Sequence, residues 1–594
     1  MLKQNISIDG ASFQTHKFNT LFGTATVTII ITFLLLLSDT IIVGHFVGPM
    51  GVVGISVVTP VLAAGVFLAE IVGGGTAYVY SRCIGEFKKD EADRVFGQGI
   101  ITVVVITCLM ALAFMLFSDT YFNYMGLSDA ARIEVENYWA FEKYVILIYP
   151  IHYLLSETVY MNGDEQICNI SNFVLIFGNI GFSVIFCALL GTKGASLGTF
   201  LGTFLCTAIF GIHFLRKSNT IKAVFSFKKQ ILAETIFLSI TDAMPYLCWG
   251  LLDFFLNKII ISRYTDAYIP ILTMVINFLE VTMIFDGVGE AMAPLAEVYM
   301  GEENYSGEKS LAKHGLRVAV VEGIVLFELV FILAPLVPAL YGLTDPLLVP
   351  YAEMAIRIFA FSMPFASLLF FFTSQFRIVR KIKLSVYETL CAQFILIVAF
   401  TLIFSDKFGL SGIWASFAIS YAATLLIFGV GVFLKFGKSS FPWLCPKDEG
   451  VWLNCSFILS RQNVIAACEK LDEFMRINRV PEAIRMKADL ILEETGILTY
   501  ENNKLKESFA EYTVNIREES LYIITRDTAE LDDLTQTRGQ IDDVQKYMIE
   551  KIMSRLQNKQ YLTAAGFNRC YYRIPFVKEG QKAADEQCEL NGKI

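Results

Sequence analysis

The chain has 594 residues, 55% of them hydrophobic, and a mean hydropathy of +0.54. That is well above an ordinary soluble domain and excludes a chain folded wholly in water. The formal charge of −9 says little, and the twelve cysteines show neither C-x-x-C nor metal-ligand spacing, so no metal site is expected; no cofactor, no nucleic-acid partner and no enzyme activity are expected either.

About 20 apolar residues cross a bilayer. Twelve segments meet that measure, near 20–44, 52–80, 96–118, 144–161, 170–191, 195–215, 233–262, 268–299, 316–341, 353–376, 384–405 and 411–436. The polar stretch before Thr20, with Lys3, His16 and Lys17, leads into a segment too long for a signal-peptide core, which reads as an uncleaved first span. Lys and Arg crowd the loops on one side (Arg82, Lys88, Lys89 and Arg94; Arg216, Lys217, Lys228 and Lys229; Arg377, Arg380, Lys381 and Lys383) and are sparse on the other. By the positive-inside rule both termini are expected in the cytoplasm, which suits an even number of spans.

The membrane part repeats itself. Gly51 to Glu86 and Ala267 to Glu302 align at an offset of about 216 residues, placing Glu70 on Asp286, Gly73 on Gly289, Ala77 on Ala293 and Gly85-Glu86 on Gly301-Glu302. Further along, Pro150 answers Pro364 and Gly194 answers Gly412. Duplicated halves with shared interruptions are the mark of secondary transporters, whose substrate site lies between the repeats. The expected lobes are 1–225 and 226–440, followed by a linker at 441–454 and a cytoplasmic domain at 455–594.

Hydrophobicity drops at Phe441-Pro442. Ile465, Cys468, Leu471, Phe474 and Met475 recur at helical spacing within Asn463 to Asn478, and Pro481 starts a second helix through Met486, Leu490, Ile491 and Leu492. Strands are expected at Tyr512–Ile516, Leu521–Thr525 and Arg569–Ile574, with a third helix from about Asp542 to Gln557. This order resembles the ATP-binding fold of histidine kinases and anti-sigma factors (a GHKL-like α+β sandwich) over about 455–577, on the residues Leu490 to Glu494, Asp527, and Tyr561 with Gly566 and Asn568. The resemblance implies nucleotide contacts at Glu494 and Asp527. Three departures stand against the chemistry. Leu498 replaces the family's magnesium-holding Asn, Asp527-Thr528-Ala529 replaces Asp-x-Gly, and Gly539 is alone where a glycine-rich lid belongs. A degenerate, regulatory or nucleotide-sensing domain is expected, with a cytoplasmic regulatory protein as its partner.

Carboxylates inside spans are costly and therefore functional candidates. They are Asp39, Glu70, Glu157 near His152, Asp242 and Asp253 about three turns apart, and Asp286 with Glu290 four residues on. Competing structural readings are that Glu70 and Asp286 brace neighbouring helices, that Asp253 pairs with Lys258 despite the poor i,i+5 spacing, and that His152 is a packing residue. Glu322 and Glu328 receive no role.

Leu37-Ser-Asp39-Thr-Ile-Ile-Val-Gly44, Thr59-Pro60, Gly73-Gly-Gly-Thr76 and Ser81-Arg-x-x-Gly85, set in a doubled six-span layout, resemble a multidrug and toxic compound extrusion (MATE) transporter over about 20–436. The resemblance implies that Asp39 binds the coupling proton or Na⁺, with Asn179 of the fifth span and Thr199 of the sixth beside it. Where the family has Asp four residues after that Asn, this chain has Ser183. Glu70 is a candidate to replace it, as are the second-lobe acids Asp242, Asp253, Asp286 and Glu290, which would line the substrate cavity. No acid stands in 360–376, where some members carry one. The expected fold is an all-α polytopic membrane protein, twelve transmembrane helices in two six-helix repeats, plus a C-terminal cytoplasmic α/β domain. The expected function is export of small organic compounds, often cationic or aromatic, across a bacterial plasma membrane in exchange for H⁺ or Na⁺. A lipid-linked sugar flippase and a membrane-anchored sensor acting through the C-terminal domain are the alternatives.

Overall fold

The computed structural model describes residues 5–85, 88–161, 164–216, 219, 221–438, 440–446, 448–517, 520–530, 558–564 and 567–576. The expected helix at Asp542 to Gln557 and the lone Gly539 lie outside the described residues. A short strand, β1 (Asn5–Ser7), precedes the long helices α1 (Phe13–Phe46), α2 (Pro49–Gly85), α3 (Lys89–Met125) and α4 (Asp129–Met161). Then come α5 (Glu165–Phe173), a π-helical turn at Val174–Gly178, α6 (Asn179–Leu190) and α7 (Thr192–Leu215).

The second repeat holds α8 (Lys229–Arg263), α9 (Ile269–Val281), α10 (Asp286–Gly301), α11 (Tyr305–Leu333) and the single turn α12 (Val337–Leu340). It continues with α13 (Val349–Ala360), α14 (Met363–Ile378), α15 (Ile382–Leu390), a π-helical turn at Cys391–Ile395, α16 (Leu396–Phe408) and α17 (Leu410–Phe436). The two π turns interrupt corresponding helices of the two repeats, so the duplication extends to backbone irregularities that cluster at functional sites.

Among the described residues, nine helical stretches are long and apolar enough to cross a membrane, and α13 with α14, bent by 43°, makes a tenth when taken as one. Of the twelve expected spans, those matching α1 and α4 fall outside this set. In α4, Glu134, Glu136, Glu142 and Lys143 raise the polarity of a helix of 33 residues.

Residues 27–286 and 319–431 form one compact unit, and residues 1–26, 287–318 and 432–594 form another. The helical unit has a continuous core that includes Val57, Val58, Ile146, Leu252, Leu256, Met274, Val275, Phe359 and Trp414.

The second unit contains β2 (Val451–Ile458), α18 (Arg461–Ile477), α19 (Glu482–Asn502), β3 (Phe509–Arg517), β4 (Ser520–Asp527), β5 (Asn558–Ala564) and β6 (Phe567–Pro575). β2 begins at Val451, inside the stretch read as a linker. The six strands lie in the order β1-β2-β3-β4-β6-β5. β1 runs parallel to β2 and every other neighbouring pair is antiparallel. Ser460 caps α18 by accepting the Asn463 amide at 3.2 Å, which satisfies one of the helix's orphan N–H groups.

Period-two alternation gives the sheet two different faces. Cys455, Phe457, Tyr512, Val514, Ile523, Cys570 and Tyr572 pack on Val464, Leu471 and Met475 of α18 and on Ile491 and Leu492 of α19. The opposite face carries a charged centre beside buried Trp452, Ile524 and Phe567. Ser456, Glu511, Arg526 and Arg569 sit side by side across β2, β3, β4 and β6.

Candidate functional site

Asp39 lies on α1, and its polar neighbours come from helices far along the chain. Thr199 of α7 donates its hydroxyl to Asp39 Oδ2 at 2.6 Å. Ser183 of α6 stands 3.5 Å from that hydroxyl, and both hydroxyls also approach the Ala195 carbonyl at 3.3 Å. α6 and α7 come this close because Gly198 faces the Ser183 backbone, where a Cβ has no room. Asn179, the first residue after the π turn, is buried on the same helix as Ser183.

A residue missed by sequence reasoning completes the cluster. Glu142 of α4 is 1% exposed, hydrogen-bonds Tyr138 and lies within electrostatic reach of Asp39. The fourth span was counted from residue 144, so this acid fell just outside it, although its position in a long apolar helix was the available signal. A second carboxylate, on α4, thus lies within electrostatic reach of Asp39, while α6 carries Ser183. Three oxygens here, Asp39 Oδ1, Asn179 Oδ1 and Glu142 Oε2, are buried with no hydrogen-bond donor among the described residues. Such groups are expensive to leave bare, and all three are acceptors, so the cluster offers its oxygens to a donor such as a proton or to a cation.

In α8, the first helix of the second repeat, Asp253 is 1% exposed. Its Oδ1 accepts Asn257 Nδ2 at 2.9 Å, while its Oδ2 has no donor. Asn257 in turn meets Ser56 of α2, whose hydroxyl is 3.3 Å from Asn257 Oδ1. Glu280 of α9 interacts electrostatically with Asp253; it is a second acid that sequence reasoning passed over inside an expected span. Lys258 does not pair with Asp253: it reaches the Tyr124 carbonyl and lies 4.3 Å from that ring's centre.

The remaining candidates separate from these two clusters. Glu70 is buried and hydrogen-bonded to Tyr153. Asp242 is held by Arg377 at 3.1 Å and by the Tyr78 hydroxyl at 2.8 Å, so its charge is already compensated. Asp286 is half-buried and Glu290 exposed, one turn apart on α10. His152 is 3.3 Å from the Thr207 hydroxyl, in keeping with a packing role.

In the C-terminal unit, Asp527 Oδ1 accepts Asn568 Nδ2 at 2.8 Å and the Ala529 amide at 3.1 Å. Burial pushes the Asp527 carboxyl up to about 6, against the pull of these donors. It lines a cleft with Thr499, Asn502, Asn503, Glu530 and Asn568. Glu494 is half-buried on α19 and is not among that cleft's lining residues. The structure does not bring the two expected nucleotide contacts together there.

The family model MatE matches residues 25–189 and 243–403. No curated protein sequence matches the chain. Among solved structures, the chain is similar to an inward-facing multidrug resistance MATE family transporter of the MOP superfamily (TM-score 0.64, 19% identity, 68% of this chain and 94% of that one). It is also similar to the MATE multidrug transporter DinF-BH (0.59, 20%, 73% and 98%). A MOP superfamily transporter from Pyrococcus furiosus matches with a TM-score of 0.59 at 18% identity, over 72% and 96% of the two chains. At these identities the likeness is one of fold.

Proposed function

This chain belongs to the MatE family of membrane transporters, and from that premise we propose that it is a secondary exporter that exchanges H⁺ or Na⁺ for small organic compounds, with Asp39 and Glu142 as the coupling pair. The reading takes α1 and α4 as spans alongside the ten above, giving twelve. The observation that carries it is the set of three donorless buried oxygens at Asp39, Asn179 and Glu142.

Two carboxylates in one buried site repel each other and resist desolvation. A proton or Na⁺ relieves both costs. Thr199 and Ser183 add hydroxyl oxygens of the kind that hard cations prefer. An ion that binds this cluster better in one conformation than in the other shifts the population between them. Export follows when the organic substrate favours the opposite conformation.

Asp253 on α8 and Glu280 on α9 are a second pair of acids within electrostatic reach of each other. With aromatic neighbours such as Tyr121 and Phe254, 6.1 Å apart between ring centres, they suit a cationic aromatic substrate. The test is dye efflux from inverted vesicles under imposed pH or Na⁺ gradients, comparing wild type with Asp39→Asn. Gradient-driven efflux that Asp39→Asn abolishes is the expected result, and equal efflux by both proteins removes Asp39 from the coupling site.

A further inference from the structure

The charged face of the C-terminal sheet is covered by the chain's own helical ends. Glu302, just beyond α10, ion-pairs with Arg526 and, at 2.6 Å, with Arg569. Arg526 also donates to Glu511 at 2.8 Å and to the Thr513 hydroxyl at 2.9 Å. Tyr299 donates its hydroxyl to Glu511 at 2.8 Å and offers its ring face to Arg526. Asn304 Nδ2 reaches Asn454 Oδ1 at 3.2 Å, and Glu303 pairs with Arg517 at 2.6 Å.

The start of α1 meets the same sheet from another element. β1 adds to its edge, and Asp9 Oδ2 accepts the Ile458 amide at 2.8 Å. Phe13 packs edge-on against Phe567, and His16 stacks on Phe509 with ring centres 3.8 Å apart. Gln14 Nε2 donates to the Gly307 carbonyl at 3.4 Å, tying α1 to α11 directly.

We propose that the C-terminal domain is a latch on the transport cycle, its charged sheet face clasping the first helix of one repeat to the α10–α11 turn of the other and releasing them when the transporter changes state. The proposal rests on the transport reading above. α1 opens the first repeat and α10 belongs to the second, and alternating access moves one repeat against the other. A domain that holds both ends favours the state in which they stay together.

The chemistry of the interface suits release rather than permanent attachment. Permanent interfaces resemble a halved apolar core, and separating them exposes surface at about 25 cal/mol per Å². Here the centre is two arginines and two glutamates. Their attraction is largely offset by desolvation, so parting these charges costs little net free energy, and the apolar surface to be re-exposed is confined to ring contacts such as Phe13 on Phe567. Satisfaction is also incomplete: both polar atoms of the Asn515 amide, on the same face, are buried without a partner. Glu302 is the hub, because it pairs with both Arg526 and Arg569, whereas Glu511 pairs with Arg526.

The test uses the full-length protein in vesicles, with Asn304→Cys and Asn454→Cys in a Cys445→Ala, Cys455→Ala background. A short bis-methanethiosulfonate reagent joins the two thiols and a reductant releases them. Joining them is expected to reduce dye efflux at least five-fold relative to either single-cysteine protein, with recovery on reduction. Complete cross-linking with unchanged efflux overturns the latch. A second readout needs no transported compound: maleimide labelling of Asn304→Cys is expected to quicken at least three-fold when Glu302→Gln is added, and an unchanged rate also overturns the proposal. Faster labelling in a protein that moves no dye under any gradient upholds the latch and counts against the dye-export reading instead.

Discussion

Thr199 Oγ1 donates to Asp39 Oδ2 across 2.6 Å, joining side chains 160 residues apart in the chain. Without that hydroxyl Asp39 keeps only the Ser183 hydroxyl as a side-chain donor among the described residues. Thr199→Val is expected to weaken cation coupling about ten-fold, on the order of 1.4 kcal/mol, read as a rise in the ion concentration giving half-maximal efflux. Thr199→Ser keeps the hydroxyl and is expected to stay within about three-fold of wild type.

Glu142 supplies the second carboxylate of the same cluster. Glu142→Gln removes its charge and leaves an amide of the same size. Ion-driven efflux is expected to fall by about ten-fold or more, in line with loss of one charged ligand, while exchange of the organic compound between equal ion concentrations persists. Both activities surviving intact would leave Asp39 as the sole coupling acid.

Asp242 makes the contrasting case, because Arg377 and Tyr78 already occupy it. The pair is partly exposed, where such bridges contribute about 0–1 kcal/mol. Asp242→Asn is therefore expected to retain at least about half of wild-type efflux and a similar yield of folded protein. A collapse of ion coupling in this variant would move the proton or Na⁺ site toward α8.

Gly198 allows α7 to lie against the Ser183 backbone. A Cβ there must push the two helices apart, and overpacking costs about 1–3 kcal/mol or more. Gly198→Val is expected to cut folded yield several-fold and to lose ion coupling in whatever protein survives, measured by size-exclusion profile and efflux. Gly211, with open space beside it, serves as control: Gly211→Ala is expected to behave as wild type.

Asp527 carries a pH prediction. Burial raises its carboxyl from 3.8 to about 6, so the folded domain binds a proton that the unfolded chain has already lost. Its stabilisation is complete below the unfolded value and disappears as pH rises through about 6. Asp527→Asn keeps an acceptor for Asn568 and Ala529 and removes the charge. Amide exchange at β4 is expected to slow at pH 7.5 by up to about 2 kcal/mol in protection, with the slope between pH 4 and 6 lost. An unchanged slope would assign the titration to another group.

Much of the architecture was legible before any coordinates. The helices of the membrane part, α18, α19, and strands at Tyr512–Ile516, Leu521–Thr525 and Arg569–Ile574 follow from apolar runs and from periods of 3.6 and 2, which are local properties. β1, β2 and β5 escape that reading: three residues at Asn5–Ser7 carry no period, Val451–Ile458 lies against a junction that reads as a linker, and Asn558–Ala564 does not alternate cleanly. Glu142 and Glu280 were passed over for a different reason. Apolar windows locate a span but do not say which acid within it meets another, and Glu142 sat two residues outside the window counted.

What this chain's residues determined alone is a duplicated, membrane-embedded helical body with a less hydrophobic domain of helices and strands after it, since hydropathy, repeat offset and periodicity depend only on neighbours in sequence. Tertiary structure alone decided which charges share a site. It placed Glu142 near Asp39, tied Asp242 to Arg377 and set Glu302 on Arg526, 224 residues away. Electrostatic pairing depends on distance in space, and helix packing sets that distance between residues far apart along the chain.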